Sequence, residues 1–339
     1  MELELKRGGR TARVETLGGE LVSYRDERGL EYIWGGDPAY WPGRNPLLFP
    51  IVGTLKEGKI RFDGREYAME RHGFARRREF TPAARGEDWV RLELRESAET
   101  LALYPYSFRL AVEQRLTDTG FSTAVTVANP GEGPLPFCLG AHTGFRCPLE
   151  AGERFEDYEL VFPERESCPT LLLRDGLLDR PAALPCLEDT DTLPLDYRWF
   201  DALDTLIFEG LRSRSVTLRS RKSGRGVRVS FDGFPMLAFW TMPGKKAPYL
   251  CIEPWHGCSA GTGETFPCWA ATPGTSPAGP RRRWARCWTT AFSTTVSAPV
   301  TSPPFWPPCF PPGTRGCSGT IWTNSACPGK TSSRPSPGE

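Results

Sequence analysis

The chain has 339 residues with 42 Lys/Arg against 41 Asp/Glu, a formal net charge of +1. So even a balance gives no reason to expect nucleic acid or an anionic membrane as partner. The opening MELELKRGGRTARVE has no apolar core of the kind an export signal needs, and no run reaches the roughly eighteen apolar residues of a membrane span, so a cytoplasmic protein is expected.

In chain order, strand signals dominate up to residue 250. KIRFDGREYAM (Lys59–Met69) alternates around Asp63-Gly64, a strong hairpin signal. WVRLELRE (Trp89–Glu96) reads as a further strand. FRLAVEQRL (Phe108–Leu116) and FSTAVTVAN (Phe121–Asn129) alternate on either side of TDTG and predict a second hairpin. TLLLRDGLLDR (Thr170–Arg180) is the nearest approach to a helical stripe, and Gly176 interrupts it. DTLIFEG (Asp204–Gly210) is strand-like, and SVTLRSR and VRVSF flank KSGRG as a third hairpin. Many short strands with turn signals between them argue for an all-β antiparallel sandwich or barrel rather than βαβ units.

The chain changes character near its end. Leucine occurs 33 times in residues 1–250 and never in residues 251–339. From Gly261 onward there is no Asp, Tyr or Met, while 14 of the 33 prolines, five cysteines and five tryptophans crowd into that tail. Disordered segments avoid Trp and Cys, so this is not a typical flexible tail; residues 261–339 are read as frameshifted, or otherwise disordered, and as non-folding. The division expected is a folded domain over 1–260 and a tail over 261–339. The tail holds seven Lys/Arg and two Glu, which leaves the first 260 residues with 35 basic and 39 acidic groups, net −4. Of the eleven cysteines, six lie between Cys138 and Cys258 with no CxxC pair, so neither zinc-ligand spacing nor a disulfide framework is indicated.

Only three histidines occur, each in a distinctive setting: RHGFARRREF (His72), LGAHTGFRCP (His142) and EPWHG (His256). A lone histidine is commonly structural, but Gly140, Ala141 and Gly144 around His142, and Gly73 beside His72, leave room for a ligand to approach. Glu253 stands among apolar residues in YLCIEPW. A buried carboxylate must be paired, protonated or functional, an arginine ion pair being the structural alternative. A carboxylate and an imidazole on one pocket suit general acid–base work on a hydroxyl-bearing substrate. Trp34, Trp41, Phe74, Phe145, Trp240 and Trp255 could stack on a sugar ring or pack between sheets, and Trp255, next to Glu253, is the strongest candidate for stacking.

These motifs together resemble the aldose 1-epimerase, or galactose mutarotase, family. The resemblance rests on NPLLFPIVGTLKEGKIRFDGREYAMERHGFARRREF (Asn45–Phe80), PLPFCLGAHTGFRCPL (Pro134–Leu149), DTLIF (Asp204–Phe208) and GFPMLAFWTMPGKKAPYLCIEPWHG (Gly233–Gly257). It implies a large antiparallel β-sandwich of the galactose mutarotase-like supersandwich type, with a sugar lying in an open cleft. It also implies His142 as the acid that protonates the ring oxygen and Glu253 as the base that takes the anomeric proton. The implied substrate contacts are His72, Asp204 and Arg44, with Arg76 and Trp255 added from their positions. Within the family the motifs resemble a bacterial branch of uncertain sugar preference, which commonly has Arg where Thr54 stands. No cofactor or metal is implied, and the partner implied is an aldohexose, with neither nucleic acid nor membrane. Two other readings stay open: a hexose-6-phosphate 1-epimerase using Arg71, Arg76, Arg77 and Arg78, and a carbohydrate-binding module without turnover. The resemblance further implies one or two strands after EPWHG that close the sandwich, which the tail does not supply by composition.

Overall fold

A computed structural model describes residues 1–256 and, further on, 286–297. Antiparallel pairing joins fifteen strands into one large sheet; Glu2–Arg7, Arg10–Glu15 and Glu20–Arg25 form a three-stranded sheet, and Lys59–Phe62 with Arg65–Ala68 a two-stranded ribbon. The predicted hairpins are present. The ribbon turns at Asp63 (φ 46°) and Gly64 (φ 79°), the left-handed pair that an Asp-Gly turn favours. Arg109–Leu116 pairs with Gly120–Asn129, and Ser215–Ser220 with Gly226–Ser230. TLLLRDGLLDR is not helical. It is the tip of a long hairpin, Tyr158–Arg174 with Leu177–Pro194, turning at Asp175 (φ 54°) and Gly176 (φ 75°). The residue that interrupts the helical stripe is thus the residue that makes the turn.

Alternation along the strands sorts side chains into two faces. Leu250 and Ile252, Leu237 and Phe239, and Leu206 and Phe208 enter the main core together with Val90, Leu92, Leu110, Val112, Val125 and Val127. The two halves of the large sheet therefore pack against each other as a sandwich. On the opposite face of the same strands two smaller clusters form. Trp255, Met236, Ala238 and Ile207 pack with Leu48, Val52 and Leu178, the last from the long hairpin. Tyr249 and Cys251 pack with Trp34 and Ala247, with Tyr40, Trp41 and Trp240 against them. In the strand Tyr249–His256, Glu253 falls between Cys251 and Trp255, and so between the two clusters.

Within the tail, Arg286–Ser297 adds a strand that composition alone did not anticipate; the rest of residues 257–339 lies outside the described residues. It fills the sheet between Gly120–Asn129 and Gly226–Ser230. Its sequence, RCWTTAFSTTVS, is rich in β-branched residues. A Cβ on Gly120 would lie 1.9 Å from the Thr294 carbonyl oxygen of this strand. Gly120→Ala is therefore expected to destabilise the protein by about 1–3 kcal/mol through overpacking. A urea midpoint equal to that of the wild type would show that the strand does not occupy this position.

Candidate active site

The register positions the two central residues. Gly140 pairs with Trp255 and Thr143 with Ile252, which sets His142 directly opposite Glu253 on the adjacent strand. Side chains directly opposite on one face are about 5 Å apart at Cβ, so contact follows from pairing alone. His142 Nε2 lies 3.3 Å from Glu253 Oε1. The approach is not aligned as a hydrogen bond, and Glu253 Oε1 and His142 Nδ1 are buried without a hydrogen-bond partner. The residues stand side by side on adjacent strands, with 8% and 7% of their surfaces exposed, rather than facing each other across a hollow.

Burial sets their electrostatics. Desolvation pushes the His142 imidazole down to about 3 and raises the Glu253 carboxyl to about 8. On Glu253 the Arg71 charge acts in the opposite direction and Asp204 in the same one. Without a ligand the pair is thus uncharged at neutral pH: a protonated carboxyl beside a neutral imidazole.

His72 stands next to His142, with ring centroids 5.7 Å apart and planes at 89°. Its Nδ1 accepts the Gly53 N–H at 3.1 Å, while the His72 backbone N–H donates to the Gly53 carbonyl at 2.9 Å. Burial, then the neighbouring His142, Arg71 and Arg76, hold its pKa well below the usual value. With Nδ1 occupied as an acceptor, neutral His72 carries its proton on Nε2. It can therefore offer a donor.

Trp41 lies over the His142 ring at 4.8 Å and 30°, with Trp240 edge-on to both rings. Gly144, which pairs with Cys251 across the sheet, makes this packing feasible: a Cβ there would come within 3.0 Å of the Trp41 ring.

Other expected site residues are placed differently. Trp255 is 4% exposed inside the apolar cluster under the long hairpin, so its ring is not open to stack on a ligand. The Arg44 guanidinium donates to the Gly35 carbonyl at 3.1 Å and faces Glu15 at 3.7 Å. Its backbone carbonyl accepts from Gly144 N–H at 2.7 Å, so it orders the strand beside His142 through the main chain. Asp204 is exposed in a left-handed turn (φ 63°) after the short helix Tyr197–Leu203, close enough to act on Glu253. Arg76 is half-buried and donates to the Arg71 carbonyl at 2.7 Å. Arg77 and Arg78 are paired with Glu70 and Glu99, so the arginine run does not converge on one anion.

Arg71, named above only as a phosphate contact, is exposed and acts electrostatically on His72, His142 and Glu253 together. Two features escaped the sequence reading. The Gly53 amide that orients His72 carries no side-chain signal. Cys251 brings its sulfur to the same spot: the ligand atoms of His142, Cys251 and Glu253 all lie within 4.8 Å of one another, the one such group among the described residues.

Residues 1–266 match the aldose 1-epimerase family. Protein LacX of Lactococcus lactis subsp. lactis is 43% identical over 267 residues, which cover 76% of this chain and 89% of that protein. A galactose mutarotase related enzyme from Lactobacillus acidophilus superposes with a TM-score of 0.79 at 26% identity, covering 89% of this chain and 99% of that one. A galactose mutarotase-like protein from Lactobacillus casei gives 0.76 at 27% identity, covering 88% of this chain and 100% of that one. No helix among the described residues is long and apolar enough to cross a membrane. The family match over residues 1–266, the 43% identity to protein LacX over 89% of its length, and the β-sandwich lead to one conclusion: this chain belongs to the aldose 1-epimerase family.

Proposed function

We propose that this protein interconverts the α and β anomers of an aldohexose, with His142 and Glu253 as the acid–base pair. The observation that carries the reading is the direct cross-strand placement of the two groups, with Glu253 Oε1 lacking a hydrogen-bond partner. An anomeric hydroxyl supplies the missing donor. Glu253 takes the proton from O1–H, the C1–O5 bond breaks as C1=O1 forms, and His142 delivers a proton to O5. Rotation about C1–C2 turns the other carbonyl face inward. Reversal of the transfers closes the ring as the other anomer.

The proton count is correct for this cycle. A protonated carboxyl beside a neutral imidazole holds as many protons as a carboxylate beside an imidazolium. A sugar that donates to Oε1 and accepts from Nε2 favours the charged arrangement, and the Arg71 charge also supports the carboxylate. His72 offers its Nε2–H to a ring hydroxyl, and Asp204 on the rim offers acceptors. Trp41 and Trp240 provide the apolar wall. Removing that wall with Trp41→Ala is expected to raise KM about 10-fold, the value of one stacking contact of about 1–3 kcal/mol. Trp255→Phe should lower stability and leave KM unchanged.

The pH dependence tests the pair. With apparent values of about 3 and about 8, the one-proton state spans neutral pH. Polarimetry corrected for the spontaneous reaction should show kcat/KM constant from pH 5 to pH 7 and falling above about pH 8. A decline centred near the free histidine value of about 6.5 would contradict the paired arrangement.

A further inference from the structure

We propose that His142, Cys251 and Glu253 form a binding site for a thiophilic divalent cation, zinc foremost, and that its occupancy blocks the cleft. Sequence spacing does not announce such a site, because the three residues meet only through the sheet. Cys251 and Glu253 project from one face of one strand, and His142 comes from the strand opposite Glu253. All three ligand atoms lie within 4.8 Å of one another, and all three residues are buried. Gly144, opposite Cys251, puts no side chain between them.

The donor set discriminates among ions. One nitrogen, one carboxylate oxygen and one sulfur suit zinc or cobalt, whereas calcium and magnesium take oxygen alone. Tetrahedral bonds of about 2.0–2.3 Å place neighbouring ligand atoms about 3.3–3.6 Å apart. The Nε2–Oε1 separation is already 3.3 Å. The sulfur needs to close by about an ångström, a shift within reach of a side-chain rotation. A second, independent observation points to a ligand: Glu253 Oε1 is buried and aimed at this point without a hydrogen-bond partner.

Binding displaces a proton from the Cys251 thiol, and one from Glu253 where that is protonated, and forms metal–sulfur and metal–oxygen bonds. The resulting complex of a divalent cation with a thiolate, a carboxylate and a neutral imidazole carries no net charge, which suits the apolar wall of Trp41, Trp240 and Tyr249. Three protein ligands leave a fourth position for water. Because the ion occupies both Nε2 and Oε1, it excludes the substrate from the groups assigned to it above. The binding stands independently of the proposed activity, and only the inhibition rests on it.

The test uses the full chain, reduced and freed of metal by dialysis against a chelator. Cobalt chloride is titrated in while the thiolate-to-cobalt charge-transfer band is recorded, and zinc chloride is titrated by calorimetry. The wild type should bind one equivalent with the band present. Cys251→Ser should lose the band and bind zinc about 100-fold more weakly, and Glu253→Gln should weaken binding by about 10-fold or more. An unchanged band in Cys251→Ser places the ion on other cysteines and overturns the site, as does wild-type zinc affinity in the millimolar range or weaker. If Cys251→Ser does not give a cooperative melt, the affinity of Glu253→Gln decides. Zinc should slow wild-type mutarotation competitively with sugar and release it on addition of chelator. Zinc bound at one equivalent with the rate unchanged would overturn the inhibition alone.

Discussion

Glu253→Gln should lower the rate of mutarotation by about 10²–10⁴-fold while making the protein more stable at neutral pH. The first effect follows from the loss of the proton acceptor, since positioned acid–base groups are worth about that factor. The second follows from burial. Folding raises the Glu253 pKa from 4.5 to about 8. Between these values the unfolded chain gives up the proton and the folded chain retains it, so stability falls as pH rises through that window. Each unit costs about 1.4 kcal/mol, or about 3 kcal/mol by pH 7. Glutamine has a similar shape and no such titration, so the variant should melt several degrees higher at pH 7 and show little gain at pH 4.5. His142 behaves oppositely: its depressed pKa weakens the fold as pH falls below about 6.5. Thermal melts at the two pH values and polarimetry on the same preparation measure both effects. A glutamine variant with wild-type turnover, or one less stable at pH 7 than the wild type, would remove Glu253 from the role assigned to it.

The catalytic role proposed for Glu253 requires a buried carboxylate that no arginine neutralises, which distinguishes it from a structural ion pair. Arginine was the structural alternative for Glu253, and no arginine bonds it among the described residues. Glu159, in contrast, is buried and held by Arg219 at 2.6 Å. In the sequence both are simply glutamates beside apolar residues. The sequence could not show which one the sheet would leave unpaired.

What was legible followed from local chemistry. Asp63-Gly64, Thr117–Gly120 and the KSGRG turn each join strands that alternate in sequence, so three hairpins could be read without the structure. The apolar setting of Glu253 in YLCIEPW was equally legible, and the structure makes it part of a strand buried on both faces. What stayed hidden depends on distant segments. Trp255 shares a face with Glu253, as alternation requires, yet the long hairpin brings Leu178 over it. Register shifts at four places in that hairpin conceal its path from any period-two reading. Arg44 carries the residue type expected of a sugar contact, but Glu15 and the Gly35 carbonyl hold its guanidinium. Composition averaged over the tail likewise masked the short β-branched run that became Arg286–Ser297.

Gly73→Ala is expected to produce the largest loss of stability of any single methyl group added near the site. Gly73 has φ +70°, and a Cβ there would lie 2.2 Å from the Phe49 carbonyl oxygen, 2.5 Å from its carbon and 2.7 Å from Pro50 N. All three are backbone atoms, so no side chain can swing aside. The same carbonyl accepts N–H groups from Phe74 at 3.0 Å and Ala75 at 3.2 Å. Moving it breaks two hydrogen bonds and shifts His72, itself at φ +67° and tied to Gly53. The left-handed backbone alone costs alanine about 1 kcal/mol, and the forced shift adds about 1–3 kcal/mol more. Gly64→Ala separates the two contributions, because Gly64 has φ +79° with nothing within 4 Å of the added carbon. Urea unfolding should therefore place Gly73→Ala at least about 1 kcal/mol below Gly64→Ala. The fraction of Gly73→Ala that remains folded should show a raised KM, because the His72 donor is displaced, whereas Gly64→Ala should retain the wild-type KM. Equal stabilities for the two variants would mean that Gly73 is not packed against the Phe49 carbonyl as described.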